Sequence, residues 1–383
     1  MSSNICIGFS LLLLASCIEP YQPDISESRD LIVINGYITD HPGMHYIEIS
    51  RSSPYDEPRP IPVRNCTVQV EDGNGTAVSY SEFTPGQYRA DLDENFLGVN
   101  KAYRLYVRTA DGEQYLSGYD SLLPGSPPDS LYYAVETREV MNPDILYYGL
   151  QFYLDIRGGS NESRNYLWKL EETFEYSSTY LIEYIWDGRI LQEFYPAIDS
   201  LRTCYRTQPI NEYYTASTRL LVVNELNRYP LNYVSNQTVK LKSKYSLLVT
   251  QHSLTDEAFL YWQNMKNQLT ESGGFYETQP SGSVGNIYNI NDDREQVLGY
   301  FYAAQVHQKR ILVKKSFDFP VRGFQCPLDT AFNEGELGNN FLYLVSLAFF
   351  GNGPPYGYGD NACFDCTLRG GTTERPPYWD DDE

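Results

Sequence analysis

The chain has 383 residues, 42% of them hydrophobic, which is more than one core usually organises and ample material for two. Its formal charge of -21, from 50 acidic against 29 basic side chains, repels polyanions and argues against a nucleic-acid partner. Basic residues cluster only at Lys240, Lys242 and Lys244, and at Lys309-Arg310 with Lys314-Lys315.

Residues 1–16 read as a lipoprotein signal peptide. The apolar run from Ile5 to Ala15 is too short to span a bilayer, which needs about 20 residues, and suits the h-region of a secretory signal. It closes in Leu14-Ala15-Ser16-Cys17, a lipobox whose Cys17 is the predicted lipid attachment site. Residues 2–16 hold no Lys or Arg, a departure from the usual charged start. At about 0.8 kcal/mol per buried methylene, two or three acyl chains would anchor the protein permanently. Residues 17–29, with Pro20 and Pro23, form the lipidated tether.

Residues 30–122 carry short alternating strands: Leu31 to Thr39, Tyr46 to Ile49, Cys66 to Glu71, Ala77 to Tyr80, a strand from Gly86, Tyr103 to Val107 and Gln114 to Ser117. Asp72-Gly73-Asn74-Gly75 marks a hairpin, because Gly and Asn accept positive φ. Pro54, Pro58, Pro60 and Pro62 rule out a central strand between the second and third runs. This spacing predicts an immunoglobulin-like β-sandwich. Cys66, in phase with Val68 and Val70, is expected as a buried free thiol.

Pro124, Pro127 and Pro128 mark a linker over 123–129, and a β-rich domain fills 130–379. Its expected strands are Ser130 to Val135, Tyr147 to Ile156, Tyr166 to Phe174, Leu220 to Val223 and Tyr245 to Gln251. One amphipathic helix is predicted over 255–272. Phe259, Trp262, Met265 and Leu269 recur at helical spacing, Asp256 and Glu257 complement the dipole, and Gly273-Gly274 ends it. Its aromatic stripe reads as core packing. A Pro/Gly/Ser loop from Gln279 to Gly285 follows, then a hairpin of Val297 to Ala304 with Ile311 to Lys314, and a buried strand in Phe341 to Phe350. Residues 380–383 are an acidic, solvated tail. The fold class is therefore mainly β: an N-terminal sandwich, then a larger β-rich domain with one helix.

Cys204, Cys326, Cys363 and Cys366 are candidate disulfide cysteines in an exported chain, with three pairings open. Cys363-x-x-Cys366 as half a zinc site is disfavoured, since no second ligand pair accompanies it. Most of the 35 tyrosines suit strands and cross-strand packing. The aromatic-dense stretch from Phe174 to Tyr214 lacks a clean period, and its Tyr176, Tyr180, Tyr184, Trp186 and Tyr195 are the candidate ligand or partner contacts. No catalytic motif, metal set or cofactor fingerprint stands out. His41, His45, His252 and His307 are scattered, and Gly282-Ser283-Val284-Gly285 is one residue short of a nucleophile elbow. Asp-Ser-Leu at Asp120, Asp129 and Asp199 reads as strand and linker starts, with O-glycosylation as the alternative.

The run LIVINGYITD, then CTVQVEDGNG and PGQY, then Gly285-Asn286-Ile287-Tyr288-Asn289 with Val297-Leu298-Gly299-Tyr300-Phe301, and finally Cys363 and Cys366 ahead of Trp379, resembles Bacteroidota lipoproteins of the domain of unknown function 4249 family. The resemblance carries over no catalytic residue and no cofactor. It implies an outer-membrane lipid anchor, on the periplasmic or cell-surface face, and the company of a TonB-dependent β-barrel transporter in nutrient uptake. The expected function is a non-catalytic accessory or substrate-binding protein of such a transporter. A surface adhesion or structural lipoprotein is the alternative, and a glycan or peptide hydrolase ranks last.

Overall fold

The computed structural model describes residues 31–53, 59–139, 146–271, 285–314, 317–348 and 353–380. Cys17, the signal, the tether, the Gly273-Gly274 helix stop and residues 381–383 lie outside the described residues.

The first strands are β1 (Ile32–Thr39), β2 (Gly43–Arg51), β3 (Ile61–Pro62), β4 (Thr67–Asp72), β5 (Ala77–Thr84), β6 (Gln87–Leu92), β7 (Ala102–Arg108), β8 (Gln114–Ser117) and β9 (Asp120–Ser121). They pair antiparallel in a sandwich-like arrangement. β5 passes between its layers: its first half pairs with β4 and its second with β6. Period-two patterning sends Ile32, Ile34, Ile38, Ile47, Ile49, Val68, Val70, Leu105 and Val107 into one core. The predicted β4–β5 hairpin is present. Asp72 Oδ1 accepts from the Asn74 and Thr76 N–H at 3.0 and 2.9 Å, and Gly75 supplies φ +86°. Cys66 is free but half-buried, not buried, because it lies in the segment entering β4 and not within the strand.

The remaining elements are β10 (Ser130–Glu139), β11 (Leu146–Arg157), β12 (Asn165–Ser177), β13 (Ile182–Trp186), β14 (Leu191–Ile198), β15 (Thr203–Ser217), β16 (Glu225–Ser235), β17 (Tyr245–Leu254), α1 (Asp256–Glu271), β18 (Ile287–Asn289), β19 (Phe301–Val313), β20 (Asp329–Ala331), β21 (Leu342–Ser346) and β22 (Tyr356–Tyr358). β15, β12, β17 and β19 form a long antiparallel sheet. A β10-β11-β16 sheet shares a second core with it through Leu150, Phe152, Leu154, Trp168, Leu247 and Val249. A five-stranded sheet, β14-β13-β21-β22-β20, stands at the C-terminal end.

β19 joins the sandwich to the long sheet. On one edge it pairs antiparallel with β17, and on the other it pairs parallel with β1, Gly36 opposite Phe301 through Thr39 opposite Ala304. Phe301 and Ala303 enter the sandwich core, whereas Tyr302 and Ala304 face α1. Gly299, just before it, has φ +95°, and a Cβ there would sit 2.1 Å from the Ile34 carbonyl, so this close crossing needs glycine.

Three expected elements are corrected. Val297 to Lys314 is not a hairpin but leads into the single strand β19. Its polar middle looks like a turn, yet those side chains hold the 123–129 segment: His307 Nε2 lies 2.6 Å from the Gly125 carbonyl, and Lys309 Nζ donates to the Pro128 and Asp129 carbonyls. Leu220 to Val223 is an exposed loop, not a strand, with Leu220 99% and Val222 97% exposed. The Leu221 N–H closes a turn on the Thr218 carbonyl, and Arg164 caps the Leu221 carbonyl. Phe341 to Phe350 yields the five-residue β21, of which Leu344 alone is buried; Leu342 on its face and Tyr343 and Val345 on the other are half-buried against separate clusters.

Candidate functional site: an aromatic cleft between sandwich and helix

Because β1 turns Ile32, Ile34 and Ile38 inward, Val33, Asn35 and Tyr37 face out. Tyr46 and Glu48 do the same on β2. Opposite them, α1 presents Tyr261, Trp262, Met265 and Gln268, spaced along one helical face. The long sheet closes the base with Lys169 from β12, Tyr213 from β15 and Tyr302 from β19. The cleft so enclosed has a volume of about 600 Å³, within the range of small-molecule sites.

Its walls are aromatic. Tyr37 stacks on Tyr302 with centroids 5.3 Å apart, Tyr261 on Tyr300 at 4.5 Å, and Tyr213 lies 4.8 Å from Trp262. Phe83 and Tyr46 meet at its rim, both substantially exposed. Exposed rings gathered in one concavity are uncommon unless something covers them.

Lys169 is the cation of this cleft. Its Nζ lies 4.4 Å from the Tyr37 ring centroid, 5.3 Å from Trp262 and 5.6 Å from Tyr302. Among the described residues no carboxylate pairs with it. Burial draws its pKa down to about 8. His252, fully buried beside it, is held far below the usual imidazole range by burial, with the Lys169 charge adding to the effect. It packs edge-on to Tyr37 at 5.5 Å, with Nδ1 3.4 Å from the Tyr302 hydroxyl. The Trp262 indole N–H is buried with no hydrogen-bond partner among the described residues.

Two buried carboxylates, Asp120 and Glu172, act within the framework. Burial raises the Asp120 carboxyl to about 6, and it accepts from the Thr255 hydroxyl and the Ala303 N–H, joining β9, α1 and β19. Glu172, fully enclosed in the second core, receives Lys240, Gln208 and the Tyr245 hydroxyl. Among the described residues no group of three His, Cys, Asp or Glu side chains is placed to hold a metal.

The five aromatics singled out from sequence lie elsewhere. Tyr176 is buried, its hydroxyl donating to the Cys366 carbonyl at 2.9 Å. Tyr184 and Trp186 are buried in the core of the five-stranded sheet, with Trp186 Nε1 donating to the Gly338 carbonyl. Tyr180 is half-buried against Phe364, and Tyr195 is 89% exposed. They do not share a surface with the cleft. The four cysteines pair as Cys204–Cys366 and Cys326–Cys363, so the CxxC divides between two bridges. In α1, Phe259 packs into the core as expected, and Trp262 and Met265 of the same stripe pack partly against that core and also line the cleft. Lys169 escaped sequence reading, although a lone lysine between Trp168 and Leu170 in a strand buried on both faces was the available signal.

Fold and cleft together define a mainly β protein with one α-helix and an aromatic concavity, holding one lysine, between the sandwich and that helix. The family model described as domain of unknown function (DUF4249) matches residues 18–310, and the chain belongs to that family. No curated protein matches it. Among solved structures, the chain is similar to one titled as the crystal structure of trypsin-activated alpha-2-macroglobulin from Escherichia coli. That likeness has 10% identity, covers 60% of this chain and 15% of that one, and has a TM-score of 0.19, too slight to bear on fold or function.

Proposed function

We propose that this protein is a Bacteroidota lipoprotein, anchored in the outer membrane through Cys17, that serves a TonB-dependent transporter as a non-catalytic, substrate-binding partner. The observation that carries the binding part is the cleft: the exposed rings of Tyr37, Tyr46 and Phe83 and one cation with no carboxylate partner among the described residues converge in a concavity of small-molecule size. The buried carboxylates Asp120 and Glu172 are engaged by framework groups, in keeping with a non-catalytic role. Among the described residues no helix is long and apolar enough to cross a membrane, so attachment in this reading falls to the lipid.

Affinity purification of the tagged full chain from detergent-solubilised membranes tests the proposal. A stoichiometric β-barrel transporter is expected in the eluate; repeated recovery of the chain alone would count against the partnership. Cys17→Ala should release a folded protein from the membrane fraction. If that variant stays membrane-bound through a high-salt wash, the lipid anchor is wrong.

A further inference from the structure

We propose that the cleft takes a small organic acid, its flat apolar body held between the aromatic walls and its anionic group at Lys169. The inference rests on reading the cleft as a binding site and adds the chemical class of the ligand.

The argument starts from the cost of placing an ammonium group among rings. Three aromatic faces offset part of it. Full compensation of a desolvated cation comes from an anion that brings hydrogen-bond acceptors. Among the described lining residues Lys169 and Glu48 carry charge, and Glu48 is exposed on β2, so these residues supply no counter-ion inside. The Trp262 ring lies within cation–π distance of Lys169, and a ligand acceptor placed at Lys169 supplies the counter-charge that the rings do not.

The walls then select the rest of the molecule. Tyr37, 38% exposed and backed by Tyr302, and the half-buried Trp262 present aromatic surface to the cleft, which favours a planar body. A cationic ligand would meet Lys169 at the base, and a neutral one would leave it uncompensated. Glu48 on the strand above repels an acid group, so the two lining charges orient the ligand with its anion inward. The cleft volume of about 600 Å³ suits one small molecule and not a length of polymer.

A matched pair of fluorescent probes tests this on the full chain: 8-anilinonaphthalene-1-sulfonate, and N-phenyl-1-naphthylamine, which keeps the same ring system without the sulfonate. Wild-type protein should bind both. Lys169→Met should weaken the sulfonate about tenfold or more and leave the neutral probe within about twofold, and Lys169→Arg should restore most of the sulfonate binding. Trp262→Ala should weaken both probes. Circular dichroism of each variant confirms folding. If Lys169→Met leaves sulfonate affinity unchanged while Trp262→Ala weakens both probes, the organic-acid inference is overturned and the binding cleft stands. If neither probe binds the wild type, or Trp262→Ala affects neither, the cleft reading itself falls.

Discussion

Two aromatic assemblies in this molecule look alike in composition and differ in what surrounds them. From Phe174 to Tyr214 the rings are dense in sequence, and most are enclosed. Tyr176 lies against the Cys204–Cys366 bridge, Tyr184 against Tyr356, and Trp186 hydrogen-bonds to Gly338. The cleft takes one ring, Tyr213, from that stretch and the others from β1, β2, β5, α1 and the start of β19, no two of them neighbours in sequence except Tyr261 and Trp262, and it leaves Tyr37, Tyr46 and Phe83 partly open beside a cation. Density along the chain thus tracks packing, whereas the candidate site arises where outward-facing residues of separate segments meet.

The contrast is open to direct attack. The largest effect is expected from Trp186→Ala, which removes an enclosed indole and its hydrogen bond. It should cost about 3–5 kcal/mol in denaturant unfolding and leave affinity for the neutral naphthylamine unchanged. Replacing Cys204 and Cys366 together by Ser should cost about 2–5 kcal/mol, read by the same method, because their bond spans 162 residues of sequence; probe affinity should again hold.

Lys169→Met should act in the opposite sense in the ligand-free protein. Burial holds the folded pKa near 8, below the ordinary 10.5, so at pH 7 the wild type bears the whole cost of the enclosed charge. Removing it should stabilise the fold on the order of 1–2 kcal/mol, after allowance for solvent screening. Between pH 8 and 10.5 the folded wild type sheds this proton before the unfolded chain does, so its stability recovers relative to the variant. The gain should therefore be complete below pH 8 and vanish as pH approaches 10.5. His252, Glu48 and the lining tyrosines are the other titratable groups around the cleft; His252, already neutral, contributes no charge change in that window, and burial raises the Tyr37, Tyr213, Tyr261, Tyr300 and Tyr302 hydroxyls above the usual phenol range. The smallest effect belongs to Tyr195→Ser, within about 0.5 kcal/mol, since this ring stands in solvent.

Much of the fold was legible because it is local. The Asp72 to Gly75 turn, the alternation of the sandwich strands and the acidic start of α1 announce themselves within a few residues. The long strands β15 and β16 were not recognised, because their burial lacks a simple alternation. Gln305 to Arg310 imitated a turn because its polar side chains hold another segment of the chain. Leu220 to Val223 imitated a strand because apolar, β-branched residues carry the same signal in an exposed loop. The cleft was illegible for a further reason: whether Trp262 faces protein or open space depends on β1 and β12, and neither is visible from the helix itself.

The position of β19 also bears on the order of folding. β1 acquires its second neighbour only when residues far along the chain arrive; the Asp40–Gln305 hydrogen bond in the same seam joins side chains 265 residues apart. Until then the first sandwich would carry an open strand edge and lack Phe301 and Ala303 from its core. Contacts of such long range slow folding and lengthen exposure to misassociation. A fragment ending near residue 122 should therefore be prone to aggregate, and adding back residues 285–314 in trans should suppress that aggregation.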